Sequence, residues 1–176
     1  MIYRLLKLIF LIGIILTFIM VSLPFYPVFY ADENRYRKFN AQLVSVFSKL
    51  LLKLLGFKVE LKLPARIKNK NYFIVSNHLS YLDVLVLSSH FPGCFFTSQE
   101  IRETFFLGHL TSLAGCIFVE RRSRNFLGIE TSNISTALNK GLNILIFPEG
   151  TSTNGESVLR FRQPLFQAAV DADTDI

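Results

Sequence analysis

The feature that most restricts this chain is a run without a single charge, "LIFLIGIILTFIMVSL", sixteen residues from Leu8 to Leu23. As a helix rising about 1.5 Å per residue it extends roughly 24 Å, a little under the ~30 Å hydrocarbon core of a bilayer. Uncharged sequence continues through Pro24 and Pro27 to Ala31. We read residues 1–31 as a retained membrane anchor that either spans or sits in one leaflet. A signal peptide is the competing reading, because Arg4 and Lys7 supply a positive leader. The following "VFYADE" lacks the small-x-small pattern of a cleavage site, which favours the anchor. Basic residues flank the run on both sides, so charge alone does not orient it. Composition agrees with a lipid partner: 51% of residues are hydrophobic and 18 of 176 are Phe, more apolar surface than one soluble domain buries. The net charge of +6 suits an anionic surface. The basic residues are scattered and form no nucleic-acid module, so no nucleic-acid partner is expected.

Residues 32–56 carry a polar stripe at Gln42, Ser45, Lys49 and Lys53, spaced three to four apart, with Leu, Val and Phe on the rest of the arc. That pattern predicts an amphipathic helix ended by Gly56, suited to packing on a core and to lying in a membrane interface. From residue 57 to 176 strand-like and helix-like segments alternate. "FKVELKL" (Phe57 to Leu63) alternates apolar and charged residues as a half-exposed strand does. "YFIVS", "GCFFTS", "CIFVE" and "NILIF" read as buried strands. The segments between them read as helices, one capped by Ser80 and another closed by Gly141. The expectation is one α/β domain, a mixed sheet flanked by helices. Cys94 and Cys116 have neither metal spacing nor a disulfide framework and read as core residues.

Chemistry concentrates at three strand ends. In "FIVSNHLSYLD", His78 follows a buried strand, where open α/β sheets place ligand-contacting loops. In one continuous helix His78 and Asp83 would point about 140° apart. With His78 in the turn and Ser80 capping the helix, Asp83 falls in the first turn and reaches back to the ring. A carboxylate on one imidazole nitrogen raises the basicity of the other. The plainer alternative is a carboxylate that only complements a helix dipole. "GCIFVER" ends in Arg121 and "FPEGTS" presents Glu149, Gly150 and Thr151, a set suited to holding an anion beside a deprotonated hydroxyl. His90 and His109 have no partner at useful spacing. Neither Gly-x-Ser-x-Gly nor a Gly-Lys-Ser/Thr phosphate loop occurs, which removes the α/β serine hydrolases and P-loop NTPases.

Together these windows resemble the glycerophospholipid acyltransferase family, of which 1-acyl-glycerol-3-phosphate acyltransferase is the best-known member. Asn77, His78, Ser80 and Asp83 match its first motif; Gly115, Ile117, Phe118, Val119 and Arg121 match its second; Phe147, Pro148, Glu149, Gly150 and Thr151 match its third. The resemblance implies acyl transfer from acyl-CoA or acyl carrier protein to the hydroxyl of a lysolipid, with no metal and no cofactor beyond that co-substrate. It implies His78 as base, Asp83 as its support, Arg121 on the acceptor's anion, Pro148, Glu149, Gly150 and Thr151 positioning the acceptor, and Asn77, Ser80, Gly115 and Phe118 as further substrate contacts. Ser152 stands where many phosphatidate-forming members have Arg, a variant closer to members that acylate lyso-ornithine lipid or lysophosphatidylcholine. A Lys near Ser98 and a Pro near Phe105, frequent in the family, are absent. The fourth motif, a Pro-centred apolar strand expected soon after Val170, does not occur before Ile176, so a C-terminally incomplete catalytic domain is expected. The rival expectation is a non-catalytic membrane protein that only binds lysolipid or thioester. The expected location is a bacterial inner membrane, catalytic domain toward the cytoplasm, where thioester donors are made.

Overall fold

A computed structural model of the chain describes residues 2–28, 32–63, 71–119 and 127–176. Helix α1 runs over Ile2–Ser22, a short α2 over Phe25–Val28 and α3 over Glu33–Leu55. Helix α1 begins well before the uncharged run and takes in Arg4 and Lys7, so its 21 residues extend about 31 Å rather than 24 Å. Ile2–Val28 is long and apolar enough to cross a membrane by length and composition, and most of its side chains are exposed. Its carboxyl half packs back on α3, through the edge-to-face pair of Phe18 and Phe47, with centroids 5.4 Å apart, and the tilted pair of Phe25 and Phe39.

Strands β1 (Phe73–Val75), β2 (Cys94–Ser98), β3 (Ile117–Val119) and β4 (Ile144–Ile146) form the sheet in the order β1-β4-β2-β3. Apart from Thr97 and Ser98 at the end of β2 they are apolar, as strands covered on both faces are. Their connections carry α4 (Tyr81–His90), α5 (Gln99–Arg102), α6 (Phe105–Leu113) and α7 (Leu127–Asn139). A 3₁₀ turn (Gln163–Phe166) and α8 (Gln167–Asp171) follow. On one face Ile134, Ala137 and Leu138 of α7 pack with Leu165, Ala168 and Ala169 over Phe73, Phe96, Ile144 and Ile146. On the other side of the molecule α3 packs on α4, with Ser45 Oγ donating to Ser89 O at 3.3 Å.

Three expectations change. The four described strands all pair in parallel, where a mixed sheet was expected. Phe57–Leu63 lies outside the described ladder: Lys58, Glu60 and Lys62 are exposed, and the segment's apolar residues find no sheet face to cover. The helix expected from Glu100 onward is broken into α5 and α6 at Thr104, whose extended backbone, φ −73 and ψ 133, precedes α6; Gly108 then packs so close to the Arg102 carbonyl that a Cβ would collide with it. Of the polar stripe on α3, Gln42, Lys49 and Lys53 are exposed as expected and Ser45 is buried. Asn40, Ser45 and Ser48 are buried while Val46 and Leu50 are exposed, because small polar side chains allow the close approach of α1 and α4.

Ile134 is fully buried where α7 meets the sheet. Replacing it with Ala should cost about 2–5 kcal/mol. Thermal unfolding in detergent would register this as a clear drop in midpoint; an unchanged midpoint would mean that α7 does not cover the sheet.

Candidate active site

Parallel pairing brings every strand's carboxyl end to one edge, and the strand order decides which loops become neighbours there. With β4 inserted between β1 and β2, the turn after β4 lies beside the loop carrying His78. Ser80 has the extended backbone of an N-cap, φ −161 and ψ 173, and its Oγ accepts from Leu82 N–H at 3.2 Å. Asp83 completes the capping box: its Oδ2 accepts from Ser80 N–H at 2.8 Å and Leu79 N–H at 2.6 Å. The same oxygen lies 3.0 Å from His78 Nδ1. Burial pushes the Asp83 carboxyl upward, but the N–H bonds from Ser80 and Leu79 and the contact with His78 outweigh it and hold it below the ordinary 3.8. An ionised carboxylate only accepts, so Nδ1 carries the hydrogen and a neutral His78 presents an unprotonated Nε2. Among the described residues Nε2 has no hydrogen-bond partner.

Ring position is fixed by stacking. The His78 imidazole lies on Phe147 with centroids 4.0 Å apart and planes 14° apart, and Phe147 lies in turn on Phe95 at 5.7 Å. Backbone position is fixed by the loop after β4. Phe147 to Gly150 form a β-turn with Pro148 at its second position, closed by Gly150 N–H to Phe147 O at 3.1 Å. Glu149, only 8% exposed, accepts from His78 N–H at 3.2 Å and, through its other oxygen, from Leu159 N–H at 3.3 Å. Thr153 N–H donates to His78 O at 2.8 Å. Both backbone polar groups of His78 are therefore held by the 149–159 segment. Leu79 and Tyr81 beside His78 in the chain, and Val158 and Leu159 at the end of the segment that Glu149 holds, remain exposed and offer an apolar rim.

The expected site residues divide on this geometry. His78, Asp83, Ser80, Pro148, Glu149 and Gly150 converge, but Ser80 caps a helix and Glu149 braces two backbone segments, where substrate contacts were expected of both. Asn77 sits between β1 and His78 and engages the protein through its carbonyl, which accepts from Ser76 Oγ at 2.9 Å. Thr151 is exposed at the edge of the turn. Gly115 does not reach the site. It precedes β3, at the opposite edge of the sheet, in a φ +77 turn packed on Arg37 and Asn40. Phe118 lies on the outer strand under the Arg102 guanidinium at 5.4 Å, three strand spacings, or about 14 Å, from β1. Arg121 lies outside the described residues. Phe147, Phe95 and Thr153 were missed as site residues. Phe147 opens the third motif, so its place in the sequence was available, although its stacking partner was not.

The site is thus a histidine–carboxylate pair at the carboxyl edge of a parallel α/β sheet. The family model for acyltransferases matches residues 58–176, and the chain belongs to that family. It is 31% identical over 133 residues to a 1-acyl-sn-glycerol-3-phosphate acyltransferase of Neisseria gonorrhoeae, covering 76% of this chain and 52% of that protein. It is 38% identical over 98 residues to a lyso-ornithine lipid O-acyltransferase of Pseudomonas aeruginosa, covering 56% of this chain and 38% of that one. The chain spans about half the length of the 1-acyl-sn-glycerol-3-phosphate acyltransferases it matches, 52% and 49%. The crystal structure of a 1-acyl-sn-glycerophosphate acyltransferase from Thermotoga maritima shares its fold, with a TM-score of 0.60 at 22% identity over 96% of this chain and 72% of that one.

Because Asp83 titrates below its ordinary value in the folded chain, its contribution to stability is present above about pH 4 and disappears as pH falls through the folded value. Asp83→Asn should therefore unfold at lower temperature than the parent near neutral pH, with the gap closing as pH falls below 3.8 and through the lower folded value. A gap that stays constant through the acid range would contradict the bonding described for Oδ2.

Proposed function

We propose that this chain is the catalytic part of a lysolipid acyltransferase, moving a fatty acyl group from acyl-CoA or acyl carrier protein to the free hydroxyl of a lysolipid in membrane lipid synthesis. One observation carries the reading: His78 Nδ1 is held by Asp83 while Nε2 is left open at the sheet's carboxyl edge. Nε2 removes the proton of the acceptor hydroxyl, and the oxygen attacks the thioester carbonyl carbon. The tetrahedral adduct collapses with cleavage of the C–S bond, and the departing thiolate takes the proton back from Nε2. The products are an ester and a free thiol, with no acyl group ever bonded to the protein. Asp83 stabilises the imidazolium that exists between the two proton transfers. Stacking on Phe147 and the bonds from Glu149 and Thr153 keep the ring aimed, which is a contribution through positioning.

A lipid acceptor fits the surroundings. The exposed Leu79, Tyr81, Val158 and Leu159 offer apolar contact to an acyl chain next to the base, and α1 supplies an apolar helix to hold the protein at a membrane. Arg121 is assigned to the acceptor's anion. Ser152, after Thr151, favours a lyso-ornithine or lysophosphatidylcholine type of acceptor over lysophosphatidate. The relatives' bacterial sources and the thioester donor favour the cytoplasmic face of a bacterial inner membrane.

The test is acyl transfer to a panel of lysolipids in membranes containing the full chain or its His78→Ala variant. The variant should lose about 10²–10⁴-fold in kcat/KM while remaining in the membrane fraction, since the anchor is untouched. Substantial residual transfer would remove His78 from the chemistry. Lysolipid binding without transfer by the unsubstituted chain would favour a binding role instead.

A further inference from the structure

Gly150 ends the turn after β4 at φ +77, a backbone conformation that residues with side chains rarely adopt. Space points to glycine as well. A Cβ at this position would lie 3.0 Å from Arg162 Nη2, 3.2 Å from Cζ and 3.3 Å from Nε, so the guanidinium rests against the glycine with all three atoms. The root of the same side chain is fixed too, since Arg162 N–H donates to Pro148 O at 3.1 Å. Arginine side chains on a surface usually sample many rotamers, and ordering one costs entropy. Here backbone and guanidinium are both seated on one four-residue turn.

That turn is the one carrying Phe147, whose ring supports His78, and Glu149, which holds the His78 backbone. Arg162 also forms part of the small cavity lined by Phe147, Gly150 and Glu130. Glu130 has interactions of its own. Among the described residues no carboxylate lies within ion-pair distance of the guanidinium and no side chain or carbonyl accepts from it. The residue is nevertheless exposed, and the Val158–Leu159 stretch just before it forms part of the apolar rim. An oriented guanidinium with no ion-pair partner among the described residues, beside an apolar surface, is suited to a molecule with an anionic head and a hydrocarbon chain.

We propose that Arg162 anchors the anionic headgroup of the acceptor, phosphate or carboxylate, over the Pro148–Gly150 turn, so that the acceptor hydroxyl faces His78 Nε2. This contact is additional to the one assigned to Arg121, and it rests on the lysolipid reading of the site. The planar fork of donors suits either anion. Arg162 is then a binding and specificity residue that takes no proton.

The test measures equilibrium binding of lysophosphatidate, lyso-ornithine lipid and uncharged monoacylglycerol, each carried in phosphatidylcholine vesicles, to the full chain and to its Arg162→Gln and Arg162→Lys variants. Arg162→Gln should weaken binding of at least one of the two anionic lipids about 10- to 100-fold, the loss expected when a charge-assisted contact is removed. Monoacylglycerol binding should stay within about twofold, and Arg162→Lys should restore part of the lost affinity. The lipid that suffers most identifies whether phosphate or carboxylate is held. Equal binding of both anionic lipids by parent and Arg162→Gln would overturn the proposal, as would an equal loss for all three lipids, which marks a structural role. Acyl transfer measured on the same samples keeps the two readings apart: absence of transfer in the parent fails the lysolipid acyltransferase reading, while the binding comparison alone decides Arg162.

Discussion

One carboxylate oxygen organises this site. Asp83 Oδ2 accepts two backbone N–H groups at the start of α4 and meets His78 Nδ1 at 3.0 Å, so helix capping and orientation of the imidazole are the same interaction. The arrangement explains why the histidine precedes the helix instead of lying on it. A turn's worth of residues between ring and carboxylate lets the chain fold back on itself, whereas a continuous helix would hold the two groups apart. It also makes the charge state of Asp83 self-supporting, because each N–H bond that starts the helix favours the ionised form that the ring requires.

The second constraint is the strand order. Inserting the last strand, β4, between the first two puts the Pro148–Gly150 turn against the His78 loop, and the 149–162 segment then holds both sides of the site. Glu149 and Thr153 fix the His78 backbone, Phe147 supports its ring, and Arg162 sits on the turn from outside. His78 with Asp83, and the turn that seats Arg162, thus follow only two adjacent strands, while the second motif's Phe118 remains on the far side of β2. On the opposite side of the molecule, α3 joins the apolar α1 to α4, the helix that begins at Asp83's capping box. The apolar N-terminal helix and the His78–Asp83 pair are accordingly linked through α3 and α4.

Much of this was legible in the sequence because its causes are local. The His78–Asp83 contact follows from the spacing of five residues with a capping serine between them, and the four described strands follow from short apolar runs between turn signals. What stayed hidden depends on partners far along the chain. Stacking of Phe147 on His78 requires the order of the strands, which no periodicity encodes. Gly115 matched a motif but serves the turn before β3, since a linear motif spans both ends of a strand and only one end faces the site. Glu149 and Ser80 matched as substrate contacts, yet their polar atoms are engaged by backbone N–H groups. Phe57–Leu63 alternates as a strand does, but alternation specifies a face and does not supply a neighbour. The first residues of α1 were left out of the helix because Arg4 and Lys7 interrupt the uncharged run, although both are good helix formers.

The proposed chemistry depends most directly on the tautomer of His78. Nitrogen-15 shifts of the His78 imidazole, measured on the full chain in detergent at a pH where the ring is neutral, should report Nδ1 as the protonated nitrogen and Nε2 as the bare one, with that preference reduced in Asp83→Asn. A His78 ring protonated on Nε2 would have its proton on the wrong side for a base supported by Asp83, and would contradict the arrangement described here.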